Sequence, residues 1–240
     1  MNSILAIIPA RSGSKGIPNK NKKCFAGLPL IEYSLKEAVR IPEIDIVVAS
    51  DDAEILEIAE AYGCDVEYKR PASVSADTTS MYEVVIDVLN FTQKVGRDYE
   101  TVLVLQPTSP LRRADQIIEA LQNFQNNSCG ALMGVSPMLH HPLECILDSK
   151  ATSTQVDEIA WDFILPQQTA TRRQEYQGDY WFINGAIYIY DVKKIRSEKK
   201  LNLNGAQLYK MPIETSIDID DPFDWMLAEA AYKNAESRNT

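Results

Sequence analysis

The alternation of apolar segments with amphipathic helical patterns is the feature that most constrains how this chain can fold. Short apolar segments predict strands at 4–9, 44–50, 66–68, 101–106 and 130–135. Between them, apolar residues recur at helical spacing at 29–39, 53–62, 80–91 and 114–124. Strands rich in Val, Ile and Leu that alternate with such helices are typical of a parallel sheet covered on both faces. The sequence therefore predicts an α/β fold with a doubly wound, mostly parallel sheet.

This rhythm breaks at 136–183, which contains prolines, adjacent histidines and little periodicity. We interpret these residues as a small subdomain that protrudes from the sheet. The core pattern then resumes, with strands predicted at 185–190, 206–211 and 215–220 and a last helix at 221–236, where Asp221 suits the N-cap. We therefore expect a catalytic domain formed by 1–135 and 184–240, with 136–183 as the insertion.

The overall charge argues against polyanionic partners. The formal net charge is −10 and the pI is about 4.8, so we expect no nucleic acid and no membrane as partner. The four cysteines are widely spaced with no C-x-x-C pair, which favours a reduced, cytoplasmic protein. The apolar segment 3–10 has no basic region before it and is followed by Arg11, so we interpret it as a buried strand rather than a signal peptide.

A basic loop follows the first strand and contrasts with the acidic remainder. The cations among the first 31 residues are Arg11, Lys15, Lys20, Lys22 and Lys23, and the first acid is Glu32. The small residues of 12–16 allow a tight turn whose N–H groups can point inward at an anion. The loop matches neither a Walker A motif nor G-x-G-x-x-G, so it indicates a polyphosphate without fixing the chemistry. The alternative is a solvated lysine-rich loop, but the place of Arg11 directly after a buried strand favours the anion site.

A pair of acids near the end of the chain predicts a metal site. In 216–221, "SIDIDD", the acids and isoleucines alternate, which would place Asp218 and Asp220 on one face of a strand, with Cα atoms about 7 Å apart. Two carboxylates beside a polyphosphate suit Mg²⁺. The alternative is that Asp220 and Asp221 only cap the last helix, although Asp221 can do so alone. Asp51, after the strand at 44–50, is a further candidate contact.

The segment 7–21, "IIPARSGSKGIPNKN", resembles the signature of the CMP-sialic acid synthetases, or N-acylneuraminate cytidylyltransferases. Their fold is that of the nucleotide-diphospho-sugar transferases. The resemblance implies an enzyme that joins a nine-carbon sugar acid to CTP, releases pyrophosphate and requires Mg²⁺. It implies CTP contacts from Arg11, Ser14, Lys15, Lys20 and Asn21. The related Kdo-activating enzymes usually carry a different loop, with an arginine-leucine-proline step.

Further segments extend this resemblance over nearly the whole chain. Segment 68–80 resembles the part that covers cytosine and ribose, which implies nucleotide contacts from Arg70 and Thr79; alone, it would be interpreted as a polar loop with a helix cap. Segment 105–112, "LQPTSPLR", implies that Gln106 contacts the sugar, the alternative being a rigid turn. Segments 171–174 and 184–190 imply sugar contacts from Arg173, Asn184 and Tyr188. Arg172 could replace Arg173, and Tyr188 could equally belong to the core.

The segment 137–144, "PMLHHPLE", resembles the start of a subdomain through which two family members interlock, which implies a homodimer. A zinc site at these adjacent histidines is disfavoured, because neighbouring side chains point apart and no third ligand is in view. Two departures concern the sugar pocket. Glu144 stands where some members have lysine, and Phe182–Ile183 where some have arginine-proline. A less basic, more apolar pocket leaves open a relative of sialic acid such as legionaminic acid.

The expected chemistry is attack of the sugar's anomeric hydroxyl on the α-phosphorus of CTP. We expect Lys15, Asp218 and Asp220 to carry it by positioning and charge stabilisation, with Mg²⁺ on the two aspartates. No side chain in the sequence requires the role of general base. A rival enzyme would use Kdo or a sugar phosphate, and a rival of another class is a non-catalytic nucleotide sensor.

Overall fold

The computed structural model describes residues 3–14, 16–127, 129–148, 161–165 and 178–238. The strands are β1 (Ile4–Pro9), β2 (Cys24–Phe25), β3 (Leu28–Pro29), β4 (Ile44–Ala49), β5 (Thr101–Val104), β6 (Ala131–Pro137), β7 (Ile146–Asp148), β8 (Trp161–Phe163), β9 (Trp181–Asp191) and β10 (Gln207–Lys210). The α-helices are α1 (Leu30–Ala38), α2 (Ala53–Ala61), α3 (Met81–Lys94), α4 (Ala114–Asn126), α5 (Val192–Glu198) and α6 (Pro222–Arg238). Short 3₁₀ turns occur at Lys20–Lys22, Ala72–Val74, Pro142–Glu144 and Ile213–Thr215.

The main sheet has six strands in the order β10-β6-β9-β5-β1-β4. Strand β1 pairs in parallel with β4 and with β5, and β10 pairs in parallel with β6. Strand β9 is antiparallel to β5. The strand order turns back on either side of β1, so β1, β4 and β5 end at one edge, where ligands of such sheets bind. The predicted doubly wound, mostly parallel α/β fold is confirmed.

Alternate residues of β1 pack on opposite faces of the sheet. Ile4, Ala6 and Ile8 join a core with α1, α2 and α4, whereas Leu5 and Ile7 join a second core with α3 and α5. This explains the uninterrupted apolar sequence of β1, because neither face of the strand contacts water. A smaller third core packs α6 against β2 and the start of α1 through Phe25, Tyr33 and Trp225.

Two predicted strands are absent from the described residues. Segment 66–68 forms no strand, and only an isolated bridge between Val47 and Asp65 lies next to it. Segment 215–220 contains the end of a 3₁₀ turn and then residues outside any strand. The reason is that β10 already ends at Lys210, and the chain then leaves the sheet edge. It crosses to the loop after β5, where the Ile219 N–H donates to the Thr108 carbonyl at 2.8 Å.

The predicted helix caps are present. Asp52 accepts a hydrogen bond from the Glu54 N–H at the start of α2. Asp221 accepts from the N–H groups of Phe223 and Asp224 at the start of α6, so Asp220 is not needed as the cap.

The chain divides into two compact units, one formed by 1–135 with 183–240 and the other by 136–182. In the second unit, β7 and β8 form a two-stranded antiparallel sheet. Within the part of the chain that the structure describes, no helix is long and apolar enough to cross a membrane.

Candidate active site

The basic loop after β1 is fixed at several points by its neighbours. The Ser12 N–H and Oγ donate to the two carboxylate oxygens of Asp51, at 2.6 and 2.7 Å. The Asn21 amide donates to the Arg11 carbonyl at 3.1 Å, which closes the loop on itself. Gly13 adopts φ +68°, a left-handed conformation that suits glycine in this tight turn. The loop is therefore an ordered turn at the carboxyl edge of the sheet.

Lys20 joins this loop to residues 216–221 near the end of the chain, which we call the acidic segment. Its buried ammonium donates to the Ile219 carbonyl at 2.6 Å and lies 3.4 Å from Asp220 Oδ1. At Gly16 a Cβ atom would lie only 2.3 Å from the Asp220 carbonyl oxygen, so the two backbones meet at a point where only glycine fits. Tertiary structure thus brings together two segments from opposite ends of the sequence.

A second wall comes from the loop between α2 and α3. Arg70 is buried, and its Nε and Nη2 donate to the Val74 carbonyl at 2.8 and 2.6 Å. Burial lowers the pKa of Arg70, and neighbouring groups such as Tyr68 and Asp51 oppose that effect. Arg11 Nη1 forms an ion pair with Asp77 Oδ1 at 2.5 Å. Two guanidinium groups therefore lie at the junction of this loop with the basic loop.

The third wall is the loop after β5, which is held from below by Arg112. This guanidinium is 2% exposed and donates to the carbonyls of Ala186 at 2.7 Å and Gln106 at 3.2 Å. It also donates to Ser34 Oγ at 2.8 Å. Burial lowers the pKa of Arg112 to about 10, with Glu37 and Asp218 acting in the opposite direction. Arg112 thus ties the loop after β5 to β9 and α1.

Asp218 lies where the acidic segment meets this loop. A Cβ atom on Gly185 would lie 3.0 Å from Asp218 Oδ2 and 3.1 Å from Gln106 Oε1, so both side chains pack against the same glycine. Burial raises the pKa of Asp218; a hydrogen bond with the Thr108 side chain opposes this, and the charge of Asp220 adds to it. Asp218 Oδ1 is buried and has no hydrogen-bond partner.

These walls enclose one cavity of about 520 Å³. Its lining includes these residues that the sequence singled out: Arg11, Ser14, Lys20, Asn21, Arg70, Thr79, Gln106, Asp218 and Asp220. Cations and a pair of carboxylates thus line the same cavity, a combination that suits a polyphosphate with a divalent cation. The unsatisfied Oδ1 of Asp218 beside Asp220 fits the expected magnesium ligands, because Mg²⁺ needs few carboxylates and takes its remaining ligands from water and phosphate. No larger cluster of metal-ligating side chains occurs in the described ranges.

Of the residues expected around the sugar, Tyr188 lines a cavity whereas Asn184 is buried. Tyr188 lines a smaller cavity of about 210 Å³ that shares Met81 and Gln106 with the main one. Asn184 is 1% exposed; its amide donates to Ser216 Oγ at 3.0 Å, and its Oδ1 accepts from the Ala186 N–H at 3.1 Å. In this arrangement Asn184 braces β9 against the acidic segment, and its sugar contact stays a prediction. Lys15 and Arg173 lie outside the described residues.

The structure also adds residues that the sequence reasoning did not assign. Thr108 and Gly16 line the main cavity, and Arg112 supports it from beneath. Thr108 and Arg112 lie in the segment "LQPTSPLR", whose two prolines were the available signal. Gly16 was expected only as one of the small residues of the tight turn at 12–16; its contact with the distant Asp220 carbonyl could not be predicted from local sequence.

Comparisons with known proteins identify the family and the fold. Residues 5–136 match the family model described as "Cytidylyltransferase". The chain is 33% identical to the CMP-N,N'-diacetyllegionaminic acid synthase of Legionella pneumophila, over 94% of each protein. It is 32% identical to the N-acylneuraminate cytidylyltransferase of Escherichia coli, over 94% of this chain but 51% of that protein, so it spans about half of that relative's length.

A solved structure of CMP:2-keto-3-deoxy-manno-octonic acid synthetase complexed with CTP has a similar fold. It superposes with a TM-score of 0.68 at 18% identity, covering 97% of this chain and 99% of that one. The length of the matched region and the identity to the Legionella pneumophila protein carry the conclusion: this chain belongs to the cytidylyltransferase family.

Proposed function

We propose that this chain transfers the cytidylyl group of CTP to the anomeric hydroxyl of a nine-carbon 2-keto sugar acid and releases pyrophosphate. The observation that supports this most directly is the single cavity that joins the basic loop to Asp218 and Asp220. Its volume of about 520 Å³ falls in the range of small-molecule and cofactor sites. The similarity to the legionaminic and N-acylneuraminate enzymes supports the same reaction class.

In this proposal the triphosphate is held by Arg11, Arg70 and the N–H groups of the basic loop. Arg11 exchanges its ion pair with Asp77 for the phosphate oxygens, which are stronger partners because they carry more charge. Lys20 acts through the acidic segment, since its ammonium is already bonded to Ile219 and close to Asp220. Lys15 is proposed as a further phosphate contact on the basis of the sequence.

Asp218 and Asp220 are proposed to hold Mg²⁺ together with phosphate oxygens. Bound there, the ion supplies Lewis-acid polarisation of those oxygens. The chain's own residues provide orientation: the cations fix the triphosphate, and Gln106 and Tyr188 face the space where the sugar acid would lie. The sugar hydroxyl oxygen forms the new bond to the α-phosphorus and its proton is released to water. The bond between the α-phosphorus and the oxygen that bridges it to the β-phosphorus breaks, and pyrophosphate leaves with that oxygen. Positioning of these charged groups is the main catalytic contribution.

The smaller cavity supports an N-acylated sugar acid. It is lined mainly by apolar and aromatic side chains, namely Met81, Val104, Tyr188, Tyr190, Leu201 and Leu203. Such a lining suits acyl methyl groups and deoxy carbons better than hydroxyl groups. We therefore propose a diacylated, dideoxy acid of the legionaminic type as the preferred substrate, with sialic acid as the second candidate.

A substrate panel tests the proposal. Pyrophosphate release from CTP is measured with N,N'-diacetyllegionaminic acid, N-acetylneuraminic acid and Kdo, with and without Mg²⁺. We expect Mg²⁺-dependent release with the nine-carbon acids and the highest kcat/KM with the legionaminic acid. Turnover with Kdo alone would overturn the nine-carbon assignment. Binding of CTP without consumption of any sugar acid would favour the nucleotide sensor.

We also propose that the protein works as a homodimer formed through residues 136–182. Ile146 and Leu147 in β7, and Ile164 directly after β8, are between 54% and 61% exposed. A two-stranded sheet with apolar side chains on both faces is barely stable in water without a covering partner. A second copy of the chain supplies that cover.

A cytoplasmic location is proposed on the basis of the cysteines. All four lie in the described part of the chain and are free. Free thiols are typical of reducing compartments.

A further inference from the structure

The basic loop is fixed by acids that lie outside the cavity. Asp51, just after β4, accepts from both the N–H and the Oγ of Ser12, with one carboxylate oxygen for each. Strand β4 is the parallel neighbour of β1, and the Ala10 N–H donates to the Ala49 carbonyl at 3.0 Å, so the pairing continues up to this contact. Asp51 therefore anchors the loop at the point where it leaves the sheet.

The other end of the basic loop, at Lys22, is held by Asp52 and Glu54, which follow Asp51 at the start of α2. Lys22 Nζ lies 3.0 Å from Asp52 Oδ2 and 2.8 Å from Glu54 Oε2. The corner between β4 and α2 thus holds the loop at Ser12 and at Lys22, and between these two points Ser14, Gly16, Lys20 and Asn21 line the cavity. Of these contacts, only that of Asp51 engages the backbone of the loop.

Asp51 is ionised despite its position beside an anion site. Burial is the largest single influence and opposes its charge, but the two hydrogen bonds from Ser12, the Asp51 N–H and the charge of Arg70 together lower its pKa below the usual value. A negative charge so close to a bound triphosphate repels it. The geometry explains why it is nevertheless useful: the carboxylate holds both the N–H and the hydroxyl of Ser12, and thereby fixes the backbone from which the chain continues to Ser14 in the cavity lining.

We propose that Asp51 is a positioning residue for the triphosphate, acting through Ser12 to fix the backbone of the basic loop. This inference rests on the proposed function, because it assigns the loop to CTP. It predicts the opposite of what charge repulsion alone would give: removal of a negative charge beside an anion site weakens the binding of the anion.

The test measures binding of CTP and of inorganic tripolyphosphate by calorimetry to wild type, Asp51→Asn, Asp51→Ala and Ser12→Ala. Asp45→Asn is the matched control, because Asp45 is an exposed acid on the same strand whose carboxylate accepts a hydrogen bond from the Tyr99 hydroxyl at 2.6 Å. Thermal unfolding verifies that each variant is folded. Pyrophosphate release gives the KM values for CTP and for the sugar acid.

We expect both Asp51 variants to weaken CTP and tripolyphosphate binding about tenfold, the size of one charge-assisted hydrogen bond. Ser12→Ala loses only the hydroxyl bond and has a smaller effect, and Asp45→Asn has none. The KM for CTP rises, whereas kcat at saturating CTP and the KM for the sugar acid change little.

Unchanged or tighter CTP binding by Asp51→Asn overturns the proposal, because the acid would then act only as a repelling charge. If wild type binds both phosphate ligands but consumes no sugar acid, the proposed function fails while the test of Asp51 remains decisive. If wild type binds neither ligand, both proposals fall.

Discussion

Asp218 combines a requirement of function with a cost in stability. Its carboxylate is partly buried, one oxygen has no hydrogen-bond partner, and burial raises its pKa. Because the folded-state pKa lies above the unfolded value, the group favours folding when protonated. That contribution is lost as the pH rises through the folded-state pKa. At neutral pH without metal, the charge of Asp218 therefore destabilises the fold.

Asp218→Asn is expected to separate these two effects. Without Mg²⁺, the variant is expected to be more stable than the wild type at pH 7, and this gain is expected to be smaller at pH 4. Its turnover is expected to fall by about 100-fold or more. Urea unfolding at both pH values and pyrophosphate release measure this. Asp115→Asn is a control of opposite sign, because the hydrogen bond from Arg113 lowers the pKa of Asp115. A less stable Asp218→Asn at pH 7 would contradict the argument.

Gly16 is constrained by a neighbour rather than by its own dihedral angles. Its missing Cβ leaves room for the Asp220 carbonyl at 2.3 Å from the Cβ position. Gly16→Ala is expected to push the basic loop away from the acid pair, costing about 1–3 kcal/mol of stability and most of the turnover. Gly205→Ala is the matched control: Gly205 has φ +73° with open space around it, so only local strain arises. Equal kcat/KM for the two variants would refute the role of this contact.

Among the elements, the loop after β5 depends on one buried cation. Arg112 links this loop, β9 and α1 by hydrogen bonds to two carbonyls and Ser34. These described partners are neutral groups, and two of them are backbone carbonyls, which therefore replace much of the water that the buried guanidinium has lost. Because Gln106 and Asp218 pack against the adjacent Gly185, this anchor also holds the floor of the cavity.

Arg112→Met is expected to lose about 2–4 kcal/mol of unfolding free energy, because it leaves two buried carbonyls without their donor. Arg112→Lys recovers part of the loss. Arg113→Met is the matched control, since the Arg113 guanidinium is exposed and, among the residues that the structure describes, pairs with Asp115, a surface contact worth less than about 1 kcal/mol. Urea unfolding compares them, and similar losses for both arginines would show that burial is not decisive.

For the whole molecule, the proposed homodimer predicts a change of mass when its interface is disrupted. If a second copy covers the sheet of β7 and β8, Leu147→Asp places a charge in an apolar interface and should convert a dimer into a monomer. Light scattering after size-exclusion chromatography measures the mass. Val39→Asp is the control, because Val39 is an exposed apolar residue of the other unit. A dimer that survives Leu147→Asp would place the interface elsewhere.

The sequence by itself determined the elements of the main sheet and the chemical types of the cavity residues. Uninterrupted apolar strands such as β1 and helices such as α4 carry a periodicity that depends on local spacing and burial. The motif resemblance then singled out residues from Arg11 to Asp220. The strands expected at 66–68 and 215–220 were wrong, because a strand also needs a neighbour to pair with, and local sequence does not supply one.

Only the tertiary structure decided how the two ends of the chain meet. It bonded Lys20 to the Ile219 carbonyl, placed the Asp220 backbone against Gly16, and turned Asn184 into a buried brace. These outcomes depend on close approach between residues far apart in sequence, which neither periodicity nor propensity encodes. The charge pattern predicted that cations and acids would share a ligand; packing alone determined which of them face the cavity and which hold its walls.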